Sequence, residues 1–541
     1  MSPSPADPAA PGAEGDSGDA ADGATGGPDV EQYVLAVDLG TGGPKVAVVS
    51  SRGRIVAHAT EPVALQLLDG GGAEQDPAEW WSAIVAASTR AVRAAAVPAD
   101  SFIGVGCTSQ WAGTVAVGTD GEPLMPAVIW MDSRGNKAIR KVAGGPVNVL
   151  GYDPRKIVRW VQVTGGAPGL SGKDPVAHIL FIRDEYPDVY RATATFLEPC
   201  DYLNLKLTGI TSASFDSIAS HWVTDNRTID RVEYDERLLE WTGLDRAKLP
   251  DLVPPGTIMG ALLAGPAAEL GVPAGLPVAV GSGDVHSAVF GSGAVGDFAA
   301  HLYIGTSSWI SGHVPFKKTA PTSNVASIPA ALPGRYLIAD EHETAGACLT
   351  FLRDNLGFAE DFESMNAMVA AVEPGSGRVL FTPWLNGERS PVDDHTIRGG
   401  FHNLSLATTR AQMVRAVFEG VAFNSRWLLE AVEKFAGRQL DSLAFIGGGA
   451  NSDQWAQIHA DVLGREIRQV VDPVLANVRG AALITLMALD RIGVGDIPAM
   501  VEIRRTYTPN PATAAEYEVL FAEFVTLYKQ TKGIFKRLNR F

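Results

Sequence analysis

Two turns in this chain combine glycines with hydroxyl side chains between apolar segments that are typical of β-strands. The first turn, residues 40–43, reads Gly-Thr-Gly-Gly, with Asp38 before it and Lys45 after it. Glycines in a tight turn leave backbone N–H groups accessible, and a group of such amides can bind an anion. Thr41 adds a hydroxyl group and Lys45 adds a positive charge. We therefore expect this turn to bind a phosphate group.

Asp38, at the end of the first predicted strand, is a candidate ligand for Mg²⁺. Proteins bind this ion through few carboxylates, together with water and substrate phosphates. An ordinary glycine hairpin in which Asp38 forms an Asx-type turn explains the same residues equally well. A second turn, residues 305–308, reads Gly-Thr-Ser-Ser and also lies between apolar segments. It favours the phosphate interpretation, because two such turns could hold one polyphosphate from opposite domains.

Asp284 follows an apolar segment and the sequence Gly-Ser-Gly. A carboxylate at this place points from a strand end into the cleft that the sheet faces. It is a candidate general base, which takes the proton of a substrate hydroxyl as that hydroxyl attacks phosphorus. The alternative is an N-cap for the helix that follows. His286 lies two residues further on, where a histidine is more often structural.

A third glycine run, residues 447–451, reads Gly-Gly-Gly-Ala-Asn and follows an apolar segment. A turn that needs a positive φ explains a lone run of this kind. With two phosphate turns upstream, an adenosine-binding role is the better interpretation.

Gln110, Trp111, Trp130, Asp132 and Arg134 lie near the ends of predicted strands. An aromatic ring together with amide and carboxylate groups is a common way to bind a small polyhydroxy compound. The alternative is that the tryptophans are core residues and that Asp132 and Arg134 form a structural ion pair. The substrate interpretation is favoured for Gln110 and Trp111, and the alternative is favoured for Trp130 and Arg134.

Predicted strands that alternate with amphipathic helices must position these groups. Residues 77–95 form a predicted helix with Trp81, Ile84, Val85 and Val92 on one face. The pattern of a strand, a Gly-Thr turn and a strand occurs twice, which suggests two similar domains that face each other.

Composition and charge exclude several functional classes. The chain has 541 residues, which favours more than one domain, and a net charge of −17, which argues against a nucleic-acid-binding surface. Cys107, Cys200 and Cys348 lie far apart and form no metal-ligand pair, which favours a reducing compartment over a disulfide framework. No apolar run approaches the length of a membrane span. The protein is expected in the cytoplasm, without a nucleic-acid or membrane partner.

The amino-terminal segment lacks the residues that build a folded core. It contains mainly Pro, Ala, Gly, Asp and Ser, without the basic start and apolar centre of a signal peptide. Residues 1–31 are therefore predicted to form a disordered acidic tail.

From about residue 34 to the carboxy end, the ordered motifs resemble those of the FGGY carbohydrate kinases, a family that includes xylulokinase, gluconokinase, ribulokinase and glycerol kinase. The matching stretches are DLGTGGPKVAVV, AEQDPAEWW, PAVIWMDSRG, FLEPCDYLNLKLTG, LPDLVPPGTIMG, GSGDVHSAVFGSG, YIGTSS, NGERSPVDD, RAVFEGVAF and IGGGANSDQWAQIHADVLGR. The resemblance implies two actin-like (ribonuclease H-like) α/β domains with ATP and a sugar in the cleft between them. The implied N-terminal domain, residues 32–296, binds sugar and phosphate, and the implied C-terminal domain, residues 297–541, binds the nucleotide.

The resemblance also implies roles for single residues. Asp38 falls on the Mg²⁺-associated acid, and Asp284 falls on the catalytic base, which also contacts the substrate. Gln110 and Trp111 fall on substrate-contacting positions, and Asp132 is a nearby candidate. The residues implied to bind the nucleotide are Thr41, Gly42, Lys45, Gly305, Thr306, Gly447, Gly448, Gly449, Ala450 and Asn451. The implied cofactors are ATP and Mg²⁺.

The sequence departs from the family's motifs at the sugar-contacting positions and at two other places. Xylulokinase-like members usually show Gln-Met-His-Gly, and glycerol kinase shows Gln-Arg-Glu-Thr, where residues 110–113 read Gln-Trp-Ala-Gly. Residues 42–44 read Gly-Gly-Pro where serines are usual, and Asn403 stands where glycine is usual. By overall similarity, the predicted activity is transfer of the γ-phosphoryl group of ATP to a ketopentose hydroxyl, with D-xylulose first.

Several alternatives stay open. The substrate could be another ketose or a polyol, such as ribulose, a pentitol, erythritol or glycerol. A catalytically idle sugar sensor is disfavoured because Asp38, Lys45 and Asp284 are all present, and an actin-like ATPase would hydrolyse ATP without sugar stimulation. A dinucleotide-dependent dehydrogenase is disfavoured because the first glycine turn leads into a strand rather than a helix. Domain closure on sugar binding is expected, since water would compete as nucleophile in an open cleft, and a homodimer is one possible assembly.

Overall fold

The computed structural model describes residues 31–539, so the predicted tail lies outside the described residues except for Glu31. The strands are β1 (Tyr33–Gly40), β2 (Gly43–Ser50), β3 (Ile55–Thr60), β4 (Gln66–Leu68), β5 (Gly72–Gln75), β6 (Phe102–Ser109), β7 (Val115–Val117), β8 (Ala127–Val128), β9 (Thr195–Leu197), β10 (Ser212–Ser214), β11 (Thr224–Asp225), β12 (Glu233–Tyr234), β13 (Asp251–Val253), β14 (Ile258–Ala261), β15 (Pro277–Ala279), β16 (Ser282–Gly283), β17 (Ala300–Ile304), β18 (Ser308–Val314), β19 (Thr319–Ala320), β20 (Val325–Pro329), β21 (Tyr336–Ala339), β22 (Leu380–Thr382), β23 (Gly400–His402), β24 (Ser442–Ile446), β25 (Glu466–Val470) and β26 (Ile503–Tyr507). The helices are α1 (Pro77–Ala95), α2 (Asn136–Ala143), α3 (Pro154–Thr164), α4 (Pro175–Glu185), α5 (Pro187–Ala192), α6 (Pro199–Thr208), α7 (Glu236–Thr242), α8 (Ala264–Leu270), α9 (Asp284–Ser292), α10 (Ala347–Asp354), α11 (Phe362–Ala370), α12 (Arg410–Ala436), α13 (Asp453–Leu463), α14 (Ala476–Ala488), α15 (Ile497–Met500) and α16 (Pro511–Leu538).

The first large sheet has the strand order β14-β15-β6-β1-β2-β3, and β16 also pairs with β6. β1 and β2 form the predicted antiparallel hairpin, with Asp38 opposite Lys45. β6 runs parallel to β1, and β16 runs parallel to β6. Because parallel strands end at the same edge of a sheet, the hairpin turn, Gln110 after β6 and Asp284 after β16 all lie at one edge.

The second large sheet has the strand order β19-β20-β21-β18-β17-β24-β25-β26. β17 and β18 form an antiparallel hairpin, and β24 runs parallel to β17. The turn after β17 and the glycine run after β24 are therefore neighbours at one edge of this sheet. Both sheets thus contain a hairpin flanked by a parallel strand, which confirms the predicted α/β class with two similar halves.

Two helices cross between the sheets. α14 packs on β1, β2 and β6 of the first sheet, whereas α9 packs on β17, β18 and β24 of the second. The contact between α9 and α14 is close at two glycines: a Cβ atom at Gly291 would lie 1.7 Å from the carbonyl oxygen of Ala476, and one at Gly480 would lie 1.9 Å from that of Ser287. Since Asp284 is the first residue of α9, this packing fixes the start of the helix.

The buried face of α1 differs from the predicted face. Trp80 is completely buried, whereas Trp81, Val85 and Val92 are only partly buried against the same core, and Ile84 is buried as expected. Small residues at positions 83, 87 and 91 are also buried. Alanines at these positions let the helix approach the sheet closely. The face that packs on the sheet therefore includes Trp80 rather than Trp81.

Two further expectations concern cysteines and membrane spans. The three cysteines are free and buried, which confirms that they form no disulfide framework. Within residues 31–539, no helix combines the length and the apolar composition needed to cross a bilayer. The predicted domain boundary at residues 296 and 297 falls between α9 and β17, and it stays a prediction.

Candidate active site

The first hairpin presents an ion pair at its base. The Lys45 Nζ atom lies 3.0 Å from Asp38 Oδ2, and the Asp38 side chain is only 2% exposed, against 31% for Lys45. The negative charge of Asp38 raises the pKa of Lys45 above its ordinary value, so the lysine stays charged. Asp38 Oδ1 is buried and has no hydrogen-bond partner in the described part of the chain. One carboxylate oxygen is therefore left for a ligand.

This oxygen fits the predicted Mg²⁺ ion. Residues 31–539 contain no group of three or more His, Cys, Asp or Glu side chains arranged to hold a metal. Mg²⁺ does not need such a cage, because it keeps water ligands and binds through one or two carboxylates and substrate phosphates. The unpartnered oxygen of Asp38 matches that mode of binding.

The turn of the first hairpin exposes its backbone at Gly42, around which no atom would lie within 4 Å of an added Cβ. Gly43 is different, because its φ is +128° and a Cβ there would lie 2.0 Å from the carbonyl oxygen of Glu61. Only glycine fits at position 43, and it closes the turn against the next segment. The Thr41 hydroxyl donates to Gln110 Oε1 and accepts from Trp130 Nε1, both at 2.9 Å.

A buried network of amides supports this turn. Gln110 is 2% exposed, and its Nε2 atom donates to Gln75 Oε1 at 2.7 Å. Gln75 Nε2 in turn donates to the Thr41 carbonyl oxygen at 2.8 Å, and Trp80 Nε1 donates to Gln75 Oε1 at 3.2 Å. These contacts connect Gln110 to the first glycine turn, and its contact with the substrate stays a prediction. Sequence reasoning assigned no role to Gln75 or Trp80, although both lie in the AEQDPAEWW stretch.

Asp284 lies at the same edge, half-buried, at the first position of α9. Gly283 is the N-cap residue, so the structure does not use Asp284 as the N-cap considered above. Asp284 Oδ1 accepts a hydrogen bond from the Val285 amide at 2.9 Å. Burial, followed by the negative charge of Asp38, raises the pKa of Asp284 to about 7. A carboxylate with this pKa can accept a proton near neutral pH.

Trp111 and His286 pack beside Asp284. The Trp111 indole N–H donates to the Ser217 carbonyl oxygen at 2.9 Å, and its ring meets that of His286 edge-on at 5.3 Å between centroids. A Cβ at Gly283 would lie 2.9 Å from Trp111 Cγ, so the indole lies directly over the residue that precedes Asp284. Burial lowers the pKa of His286 to about 3, and a neutral, buried ring fits the structural interpretation of this histidine.

Asp132 is completely buried. Its Oδ2 atom accepts from the Ala73 amide and from Arg134 Nε, both at 2.8 Å, and its Oδ1 atom accepts from the Arg134 amide at 2.9 Å. Arg134 also pairs with Glu74 at 2.5 Å. These contacts favour the structural ion pair given above as the alternative, and they occupy both carboxylate oxygens. A substrate contact of Asp132 stays a prediction.

The second hairpin and the third glycine run lie side by side in the second sheet. Thr306 is exposed at the tip of the hairpin turn, and the Gly305 carbonyl oxygen accepts from the Gly346 amide at 2.9 Å. Gly447 has a φ of +85°, and a Cβ there would lie 2.5 Å from the carbonyl oxygen of Ile304. The two turns are therefore packed against each other, as expected for neighbouring parts of one nucleotide site. In the third run, Gly448 and Asn451 are exposed, Gly449 is half-buried and Ala450 is buried.

Acidic residues of the first sheet and groups of the second sheet influence each other's pKa values. The negative charges of Asp284 and Asp38, in the first half, act with burial to raise the pKa of Tyr303 in β17. Glu341, which follows β21 of the second sheet, contributes to the raised pKa of Asp284. The acids of the first sheet and the turn of the second sheet thus share one electrostatic environment.

Sequence reasoning missed a charged cluster at this cleft. Arg389 pairs with both Glu341 and Glu343 of the second half. Lys173 of the first half lies 3.9 Å from Glu343. Arg389 lies in the NGERSPVDD stretch, which resembles a motif of the family but does not indicate what Arg389 contacts. The partners of Arg389 are 46 and 48 positions away, and no local pattern connects them.

Two sequence models of one enzyme family match the chain. The model of the N-terminal domain of the FGGY family of carbohydrate kinases matches residues 33–291, and the model of the C-terminal domain matches residues 300–489. This chain belongs to the FGGY family of carbohydrate kinases. The chain is accordingly an ATP-dependent sugar phosphotransferase, and the family, fold class and enzyme class expected from the sequence are confirmed.

Relatives of this FGGY kinase have names that give different sugars. A xylulose kinase of Staphylococcus epidermidis is 27% identical over 513 residues, which cover 93% of this chain and 98% of the relative. A xylulose kinase of Streptomyces rubiginosus is 30% identical over 494 residues, which cover 89% of this chain and 92% of the relative. The crystal structure of a gluconate kinase from Lactobacillus acidophilus has a TM-score of 0.83 at 21% identity and covers 94% of this chain and 100% of its own. The fold is therefore shared by kinases named for more than one sugar.

Proposed function

We propose that this FGGY kinase transfers the γ-phosphoryl group of ATP to a hydroxyl of a ketopentose, with D-xylulose as the first candidate. The observation that carries the reaction is the place of Asp284. It is a half-buried carboxylate with a raised pKa, it lies at the sheet edge that also carries the Asp38–Lys45 pair, and its charge raises the pKa of Tyr303 beside the second glycine turn. The names of the two relatives favour xylulose as the sugar.

In the proposed reaction, Asp284 accepts the proton of the sugar hydroxyl. The hydroxyl oxygen bonds to the γ-phosphorus while the bond from phosphorus to the bridging oxygen of ADP breaks. Lys45 and the exposed turn at Gly42 offset the negative charge of the phosphates, which is the main contribution a protein makes to this kind of transfer. No covalent intermediate with the protein is needed.

The metal and nucleotide are assigned to residues that fit them. Asp38 would hold Mg²⁺ through its unpartnered Oδ1 atom, and the bound ion supplies positive charge to the phosphate oxygens. The second turn, Gly305 and Thr306, would contact the phosphates, and residues 447–451 would bind the adenosine. We accordingly assign sugar and phosphate binding to residues 32–296 and nucleotide binding to residues 297–541.

Trp111 is the residue whose contacts bear most directly on which sugar binds. Its indole N–H is already hydrogen-bonded to the Ser217 carbonyl oxygen, and its ring lies over Gly283, the residue before Asp284. A sugar that packs a carbon face against this ring fits better than one that needs a hydrogen-bond donor there. Other ketoses and polyols, including ribulose, a pentitol, erythritol and glycerol, are the alternative substrates.

An ADP-release assay across ketoses, aldoses and polyols tests this proposal. Sugar-stimulated ADP release that is highest with D-xylulose is the expected result, and mass spectrometry of the product should show one added phosphoryl group. A higher kcat/KM with another sugar would replace xylulose while keeping the kinase. ADP release without any sugar stimulation would contradict the proposed reaction and favour a sugar-independent ATPase.

A further inference from the structure

Tyr303 is a side chain at the cleft that the proposed reaction does not yet use. It lies in β17, directly across the hairpin from Trp309 in β18. The two rings stack face to face, with centroids 3.8 Å apart and planes 9° from parallel. Trp309 is in turn fixed, because its indole N–H donates to His301 Nε2 at 3.0 Å. Burial lowers the pKa of His301 to about 3, which keeps this acceptor neutral, so Tyr303 is held in one orientation.

The phenol of Tyr303 lies directly over the second glycine turn. A Cβ atom at Gly305 would lie 2.5 Å from the Tyr303 hydroxyl oxygen, so position 305 must be glycine for the hydroxyl to occupy this place. No residue within 31–539 forms a hydrogen bond with this hydroxyl, and Tyr303 is half-buried. A fixed donor therefore points into the space beside the turn without an acceptor from the protein.

The electrostatic environment keeps this group a donor. Burial and the negative charges of Asp284 and Asp38 raise the pKa of Tyr303 well above its ordinary value, so the phenol stays protonated at any working pH. The same two acids lie on the opposite side of the cleft, where the reaction is proposed to occur. A neutral donor in this place can bind an anionic oxygen without adding a charge to the site.

We propose that the Tyr303 hydroxyl donates a hydrogen bond to an oxygen of the phosphoryl group that is transferred. The inference rests on the proposed function and adds a phosphate-contacting residue to it. Because the ring is fixed before the nucleotide binds, the donor is already oriented when charge develops on the phosphoryl oxygens. A sugar contact is less consistent with the structure, since the hydroxyl lies over Gly305 of the phosphate turn rather than beside Trp111.

The test is the variant Tyr303→Phe, which retains the stack on Trp309 and removes only the oxygen atom. Loss of one oriented donor is expected to lower kcat about 10- to 100-fold, with the sugar KM within about twofold. Binding gives a second readout that does not need turnover. The dissociation constant of a non-hydrolysable ATP analogue is expected to rise about 3- to 10-fold in the variant, whereas that of ADP, which lacks the transferred group, stays unchanged.

Tyr336→Phe is the matched control. Tyr336 lies in the neighbouring strand β21, and its hydroxyl donates to the Asn226 carbonyl oxygen at 2.9 Å, so this variant loses stability but keeps the ratio of the two dissociation constants. An unchanged kcat and an unchanged ratio in Tyr303→Phe would overturn the inference. If the wild type binds both nucleotides but phosphorylates no sugar, the proposed function fails. The ratio of the dissociation constants of the ATP analogue and ADP, compared between wild type and Tyr303→Phe, still tests whether Tyr303 contacts the terminal phosphoryl group. Failure of the wild type to bind either nucleotide would overturn both.

Discussion

The two glycine-bearing hairpins occupy corresponding places in the two sheets, but they present different side chains. Asp38 and Tyr303 both lie two residues before the glycine of a Gly-Thr turn. Across the hairpin, Asp38 faces Lys45 and Tyr303 faces Trp309. The first hairpin therefore carries an ion pair where the second carries an uncharged aromatic stack.

Under the proposals above, the same hairpin geometry serves two different chemical tasks in the two sheets. An unpartnered carboxylate oxygen and a cation beside an exposed turn suit a metal ion and the phosphates that it accompanies. A third carboxylate at the place of Tyr303 would interact with Asp38 and Asp284, and neighbouring like charges oppose ionisation. A neutral hydroxyl avoids that repulsion and still offers a hydrogen bond.

The largest effect is expected from Asp284→Asn, which removes the carboxylate that both hairpins face. Loss of the general base should lower kcat about 10²- to 10⁴-fold, measured by sugar-dependent ADP release. The pKa of Asp284 is higher in the folded protein, about 7, than in the unfolded chain. Ionisation of this group therefore lowers the free energy of unfolding of the wild type as the pH rises through about 7. The amide removes that cost, so the variant should melt no lower than the wild type at pH 8.

Asp297→Asn is the control for this variant. Asp297 is a surface residue that pairs with Arg335 at 2.6 Å, and its replacement should leave kcat within about twofold, as for most surface changes. Near-normal turnover in Asp284→Asn would remove Asp284 from the proposed role.

The backbone of the first hairpin can be tested at two adjacent glycines. Gly43→Ala should lower the free energy of unfolding by about 2–4 kcal/mol, because it combines an unfavourable φ with a collision against the Glu61 carbonyl. Gly42→Ala adds its Cβ to open space and should change the same quantity by less than about 0.5 kcal/mol. Urea denaturation measures both values. Equal losses would show that the turn is not closed against Glu61.

Lys45→Met tests whether the positive charge of the first hairpin contributes to the use of ATP. We expect kcat/KM for ATP to fall about 10- to 100-fold, because a charge-assisted contact with phosphate is lost. Lys206→Met is the control, since Lys206 pairs with Glu122 at 3.0 Å on the surface and should retain the wild-type value. A loss in kcat/KM for the sugar alone would instead place Lys45 at the sugar.

The smallest effect is a shift in pH dependence. Asp284 must be ionised to accept a proton, so kcat/KM of the free enzyme should rise with pH, with a midpoint near its pKa of about 7, and level off above it. The positive charge of Lys45 lowers the pKa of Asp284, so Lys45→Met should move the midpoint upward by a fraction of a pH unit. A downward movement would mean that another group controls the profile.

Sequence reasoning succeeded where the determining interactions are local. The first hairpin, with Asp38 facing Lys45, follows from glycines between two apolar runs. Placement of Asp284 at a strand end follows from the apolar segment and turn before it, although the N-cap role considered for Asp284 belongs to Gly283 in the structure. That choice depends on backbone geometry at a single residue, which residue types alone do not determine.

Sequence reasoning was weaker where partners are distant along the chain. The expected contact of Thr41 with a ligand stays a prediction, but the sequence did not indicate that its hydroxyl donates a hydrogen bond to Gln110, which lies 69 positions away. Asp132 was given as a substrate candidate, yet its oxygens are occupied by groups that include the Ala73 amide, 59 positions away. Tyr303 received no role, because a tyrosine in a strand indicates only a packed sheet until the position of its hydroxyl is known.

The crossed helices α9 and α14 have a mechanical consequence. Each half lends a helix to the other half's sheet, and the glycine contacts at positions 291 and 480 leave no slack between them. If the two halves rotate on sugar binding, as expected from the sequence, we expect the rotation to occur about this helix pair, because the glycine contacts leave no room for the helices to slide. Asp284 begins α9 and shares a sheet edge with the first glycine turn, so the second glycine turn would move toward it while these two groups keep their positions relative to each other.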